Sequence, residues 1–163
     1  MADIKVMPQG SAREEELRQA MELLYFGYRD FTAEPDAMLA RYNFGRAHHR
    51  TIYFVGRHPQ ISVSDLLVVL RITKQSLSRV LSQLVRQGFI VQKTGSRDRR
   101  QRLLELTAKG VELERQLSEN QRQRIAKAYR EAGPAAVEGF KRVMLGIISS
   151  DADRRRFERP PHR

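Results

Sequence analysis

Nine of the 32 residues from Arg71 to Arg102 are basic: Arg71, Lys74, Arg79, Arg86, Lys93, Arg97, Arg99, Arg100 and Arg102. The single acid among them is Asp98, which leaves a local net charge of +8. A face that serves only to meet water mixes its signs; one that does not is built for a polyanion. The hydrophobic pattern sorts these residues into two groups. Leu77, Val80, Leu81, Leu84 and Val85 recur at steps of three, one, three and one, which is the buried face of a helix. That leaves Lys74, Gln75, Ser78, Arg79, Ser82, Gln83 and Arg86 outward, all hydrogen-bonding and none acidic. Such a set suits a major groove, where Gln pairs with adenine, Arg with guanine, and Ser or Lys holds phosphate. The second group lies in the polar stretch from Thr94 to Arg102. It joins two short strand patterns, Phe89 to Lys93 and Leu103 to Leu106, as the tip of a hairpin. There Arg97 and Arg99 are placed to enter a minor groove, whose negative potential attracts arginine.

The rest of the chain has to position this surface. Its 163 residues amount to about one domain, with 30 Lys and Arg against 19 Asp and Glu for a net +11. Hydrophobic residues make up 40% and aromatics 7%, so the core is expected to be mainly aliphatic. No run of about eighteen apolar residues is present to span a bilayer, and Met1 to Gly10 carries no secretory pattern, so a cytoplasmic protein is expected. Cysteine is absent, which excludes disulfides, thiolate-bound zinc and a thiol nucleophile. His48 and His49 are adjacent and point about 100° apart on a helix, so they do not form the i, i+4 clamp that zinc prefers. No glycine-rich phosphate loop and no nucleophile–base motif occurs. Neither an enzyme nor a bound cofactor or metal is expected.

Helical spacing of Leu17, Met21, Leu24, Tyr28 and Phe31 predicts a first helix from near Ser11, over about 12–32, ended by Thr32-Ala33-Glu34-Pro35. A second is expected from Ala37 to Val55. Leu66 to Leu70 forms a short apolar segment ahead of Thr73, whose hydroxyl can cap the next helix, and Gly88 is its natural stop. Thr107 is expected to cap a long helix to about Arg130, with Val111, Leu117, Ile125 and Tyr129 inward. After Gly133-Pro134 a last helix carries Ala136, Val137, Phe140, Val143, Met144, Ile147 and Ile148. Residues 1–11 and 151–163 read as flexible tails, the latter basic. The middle of the chain, about 60–106, can form its own lobe, which leaves the apolar stripes of the terminal helices uncovered. A homodimer is therefore expected, with Leu17, Met21, Leu24, Phe140, Val143, Met144, Ile147 and Ile148 at its interface.

Several segments resemble the multiple-antibiotic-resistance regulator (MarR) family of winged helix-turn-helix transcription factors. They are Val63-Ser64-Asp65-Leu66, Ile72-Thr73-Lys74-Gln75-Ser76-Leu77-Ser78-Arg79 and Leu84-Val85-Arg86-Gln87-Gly88-Phe89-Ile90, then Asp98-Arg99-Arg100 and Leu104-Glu105-Leu106-Thr107-Ala108-Lys109-Gly110. The resemblance implies a dimer on pseudo-palindromic DNA, often released by a small ligand. It implies DNA contacts from Thr73, Lys74, Gln75, Ser76, Ser78, Arg79, Ser82 and Arg86 on the helix and from Arg97, Asp98, Arg99 and Arg100 on the wing. Arg99 would be the minor-groove arginine, and Asp98 would orient Arg100 or another arginine. Arg71 departs from the small residue, often Gly, that the family carries in the turn between the two helices. The family's effector cleft would lie near Tyr28, Phe31, Phe44, His48, Ile52 and Tyr53. These suit an aromatic anion and equally suit a core.

The expected architecture is thus mainly α with a small β-hairpin wing. A winged helix-turn-helix lobe over about 60–106 is set between dimerisation helices at about 12–32 and 107–150. The expected function is that of a homodimeric, sequence-specific regulator of transcription that binds double-stranded DNA and acts at a promoter either by occlusion, as a repressor, or by recruitment, with release by a small-molecule effector implied by the resemblance. Two rivals remain: a non-specific architectural DNA binder and a ligand-sensing module acting through a protein partner.

Overall fold

The computed structural model describes residues 9–158; the remainder of both expected tails lies outside the described residues. The chain divides into two compact units, one up to Gln121 and one from Arg122 onward.

The first unit opens with α1 (Gln9–Ala40), which runs straight through Pro35 instead of ending there. A proline inside a helix deprives the carbonyl four residues back of its partner. Here that carbonyl is Phe31 O, and the amide of Gln121 donates to it at 3.2 Å. The Thr32 hydroxyl donates to Tyr28 O at 2.9 Å, and Pro35 is buried. The chain then turns through Asn43 (φ 61°), with Phe44 N donating to Leu39 O at 3.1 Å. The second helix, α2 (Arg46–Arg57), accordingly starts nine residues later than the sequence predicts.

Two residues, Ile61–Ser62, make a strand (β1) that the sequence does not announce, and α3 (Val63–Leu70) follows directly. Ser62 Oγ caps α3 by accepting from Asp65 N at 3.0 Å. Arg71 ends it in the left-handed region (φ 51°), the geometry that the family's glycine would meet without strain. Next come α4 (Lys74–Arg86), β2 (Ile90–Thr94) and β3 (Arg102–Leu106). The sheet is antiparallel in the order β1-β3-β2, with Gln92 opposite Leu104 and Ile61 on that residue's other side.

The core of this unit is not confined to the central lobe. Leu66, Leu77, Val80, Leu81, Leu84, Phe89, Ile90 and Leu104 pack with Leu39 of α1, Phe44, Ile52 and Val55 around α2, and Leu113 and Leu117 of α5 (Ala108–Ala132). Four expected inward positions are corrected. Val85 flanks the α4 stripe and is exposed, and so is Val111, because α5 buries Gly110, Leu113, Leu117 and Gln121 at steps of three, four and four. Ile125 and Tyr129 are likewise exposed. Every residue of α1 from 12 to 30 is exposed, Leu17, Met21, Leu23, Leu24, Tyr25 and Phe26 included.

In the second unit the rest of α5 leads through Gly133 (φ 86°) into α6 (Pro134–Ile147), none of whose residues is buried. Phe140 sets its ring edge-on to Tyr129 at 6.3 Å. The expected C-terminal tail instead begins as a helical turn, α7 (Asp151–Arg155). Ser150 Oγ accepts from Asp153 N at 3.3 Å, and Asp151 and Asp153 sit in the first turn where the helix dipole favours acids.

Candidate nucleic-acid interface

Thr73 starts α4 as its sequence predicts, in extended backbone, with Oγ1 accepting from Ser76 N at 3.1 Å and donating to Ser76 Oγ at 2.8 Å. The Thr73 and Ser76 hydroxyls are thus engaged in the cap. Beyond it Lys74, Gln75, Ser78, Arg79, Ser82 and Arg86 are all exposed, opposite the buried Leu77, Val80, Leu81 and Leu84. Gln83 is the exception to the outward set. It is half-buried, and its Oε1 meets His48 Nε2 of α2 at 2.5 Å.

At the far end Gly88 takes φ 81°, and Phe89 N reaches back to Leu84 O at 2.9 Å. The wing closes through Gly95 N to Gln101 O (2.9 Å) and Gln101 N to Asp98 O (3.1 Å). Asp98 Oδ1 accepts from the Arg100 backbone N at 2.9 Å, so this carboxylate shapes the turn rather than orienting a guanidinium. A Cβ at Gly95 would lie 2.6 Å from Asp98 O, which explains the glycine. Arg97, Arg99 and Arg100 all face water at the tip. Lys93, by contrast, is paired across the sheet with Glu105 at 2.7 Å.

Between the start of α3, the outer side of α4 and the wing lies a cleft of about 600 Å³, lined among others by Ser64, Lys74, Ser78, Gln92, Arg100 and Arg102. Sequence reasoning missed Ser64 and Gln92 as part of this surface. Arg102 is already one of the nine basic residues in the sequence, but only the pairing of β2 with β3 turns it toward the helix.

Of the six candidate ligand residues the structure brings Phe44 and His48 together, while Tyr28 lies in a groove that neither of them lines. Tyr28 lines a groove of about 610 Å³ with Leu24, Tyr25, Arg29 and Arg46. The Arg46 guanidinium lies 5.4 Å from the Tyr28 ring, and Arg50 donates to the Tyr28 hydroxyl at 2.8 Å. Phe44 and Ile52 are core residues, Phe31 is half-buried, and Tyr53 sets its ring edge-on to Phe54. His48 stacks on Phe44 at 4.5 Å. Among the described residues there is no group of three or more His, Asp or Glu that could hold a metal ion, and no helix is long and apolar enough to cross a membrane.

His49 is half-buried beside the same helices, and loss of water holds its imidazole below the ordinary value of about 6.5. Asp36 and Glu114 oppose that shift and Arg50 adds to it. The unfolded chain therefore takes up this proton more readily than the folded one. The contribution is expected to be complete above about pH 6.5 and to be lost as pH falls toward the folded-state value. Urea unfolding at about pH 8 and pH 5.5 checks this: the midpoint should drop with acid in the parent and drop less in His49→Gln. Equal drops would assign the loss to other groups.

A family model described as the MarR family matches residues 42–101, the stretch from the turn before α2 to the wing. The HTH-type transcriptional regulator PetP of Rhodobacter capsulatus is 48% identical over 145 residues, which cover 89% of this chain and 87% of that protein. Among solved structures, Streptococcus pneumoniae FabT in complex with DNA superposes with a TM-score of 0.70 at 19% identity, over 80% of this chain and 94% of that one. A crystal structure of MarR gives 0.60 at 21% identity, over 95% and 97%. A Listeria monocytogenes regulator described as a putative MarR family member, complexed with a 26mer DNA, gives 0.67 at 16%, over 78% and 85%.

Proposed function

Since this chain belongs to the MarR family, and is a helix-turn-helix transcriptional regulator rather than an enzyme, we propose that it binds a pseudo-palindromic operator as a homodimer. The carrying observation is the outer face of α4, where six exposed hydrogen-bonding side chains stand without an acid beside a wing tipped by three exposed arginines. In this reading Gln75, Ser78 and Arg79 meet base edges and nearby phosphates in the major groove. Lys74, Ser82 and Arg86 hold phosphates, Thr73 and Ser76 present the capped start of the helix to the backbone, and Arg99 enters the minor groove flanked by Arg97 and Arg100. Two likenesses of the same fold were solved on DNA, which supports the choice of partner.

The homodimer is supported by the uncovered apolar side chains. Leu17, Met21 and Leu24 on α1 and Phe140, Val143 and Ile147 on α6 are all large, apolar and exposed, Met21 to 70%. Covering one such side chain contributes about 1.5–3 kcal/mol, and a two-fold interface counts each one twice. Met144 and Ile148, half-buried, complete the stripe. A small anionic effector has a candidate seat in the groove at Tyr28, Arg29 and Arg46. Repression by occlusion is the simplest consequence of operator binding.

Competition with random duplex tests the proposal against a non-specific architectural role. A sequence-specific regulator is expected to keep a preference of about a thousandfold or more for its operator at physiological salt. A preference under about tenfold would place the protein in the architectural class.

A further inference from the structure

We infer that His48 is a positioning residue for base reading: through Gln83 it sets the roll of α4 about its own axis, an inference that rests on the operator-binding reading above. Leu77, Val80, Leu81 and Leu84 seat α4 on the core, and apolar contact of that kind has no preferred direction. The Thr73 cap and the Phe89-to-Leu84 bond fix the two ends. Between them the apolar stripe sets which face of the helix is inward, and a directional contact is what fixes its roll more finely. Gln83 supplies one, a single helical turn beyond Arg79 and next to Ser82.

His48 is held on every side that matters. Its Nδ1 accepts from Gly45 N at 3.0 Å, which closes the first turn of α2 and leaves the ring proton on Nε2. That proton is donated to Gln83 Oε1, which lies 2.5 Å from Nε2. The Phe44 ring lies nearly parallel to the imidazole, at 4.5 Å and 11°, and Phe44 is itself braced edge-on by Phe89 at 5.7 Å. One rigid imidazole thus ties the start of α2 to the last turn of the reading helix. Side-chain tips lie about 5–6 Å from a helix axis, so a roll of about 10° carries them about 1 Å. Paired hydrogen bonds to a base edge do not tolerate that displacement, whereas a long, flexible Lys or Arg follows a phosphate through it. The link therefore bears on sequence preference more than on general affinity for duplex.

The test uses the full chain and three variants: Gln83→Met, which keeps length and removes the acceptor; His48→Phe, which keeps the stacked ring and removes both hydrogen bonds; and the double change. Each is titrated against the duplex that the parent selects from a random pool and against random duplex. We expect each single change to lower the preference for the selected duplex by about tenfold or more while affinity for random duplex stays within about twofold. The double variant should be no worse than the poorer single one. Unchanged preference in folded variants, equal losses on both duplexes, or additive losses would overturn the inference. Should His48→Phe fail to fold, Gln83→Met alone decides. Nitrogen NMR of the His48 ring separates this from failure of the operator reading. A proton on Nε2 whose exchange quickens in Gln83→Met is expected, and a proton on Nδ1 instead would remove the link whatever the DNA result. A parent without preference for any duplex overturns the operator reading and this inference with it.

Discussion

Replacing Arg79 and Arg99 together by alanine is expected to lower operator affinity by about a thousandfold or more while the protein stays folded. Both side chains are exposed, one on the outer face of α4 and one at the wing tip, so their loss leaves no cavity. Truncating a side chain that pairs with a base edge costs about 1–3 kcal/mol, and a dimer loses four such contacts at once. The residual binding should depend less on salt, because each lost phosphate contact removes close to one unit from the slope of log affinity against log salt. Fluorescence anisotropy over a salt series measures both quantities. If the regulatory effect were instead carried by a protein partner, the double variant would still regulate; loss of regulation in step with loss of binding is the outcome the surface calls for.

Among the described glycines, Gly110 is the one where an added methyl group, as in Gly110→Ala, is expected to do the most damage. Gly110 lies in the first turn of α5, where the helix crosses the start of β2, and a Cβ there would fall 2.1 Å from Phe89 O and 3.3 Å from Leu106 Cβ. The clash is with backbone, and that backbone is committed: Phe89 O accepts from Thr107 N at 3.0 Å. The Thr107 hydroxyl donates to Gly88 O at 2.6 Å and accepts from Gly110 N at 3.0 Å. Relief requires α5 to move off the base of the wing and to draw its own Leu113 and Leu117 out of the core. Overpacking of this kind costs about 3 kcal/mol or more, which lowers the melting temperature of a chain of this size by about 10 °C. Calorimetry of the variant checks it, and an unchanged melting temperature would mean that α5 can lift away without cost.

The reading helix was legible because every local preference along it agrees. Thr73 caps, the spacing of Leu77, Val80, Leu81 and Leu84 defines one inner face, and Gly88 stops the helix in a conformation glycine prefers. What escaped depends on partners far along the chain. Pro35 ends a helix by every local rule, yet the carbonyl it leaves free is bonded by Gln121, some ninety residues away. Two residues of β1 carry no periodicity, and only pairing with β3 makes them a strand. Gln83 belongs to the polar face by composition, but a histidine on another helix turns it inward. Val111 and Leu113 are equally apolar, and only the docking of α5 at Gly110 and Leu117 decides which is buried. Asp98 pairs with a backbone amide rather than a guanidinium because its neighbours form a tight turn, a geometry that charge counting does not see.

Selection of bound duplexes from a random pool puts the central claim to its most direct test. Two copies of α4 offered by one dimer should enrich an imperfect inverted repeat whose half-site centres stand about one helical turn, or 10 base pairs, apart. A pool that emerges without any shared motif, or with one lacking two-fold symmetry, would contradict it.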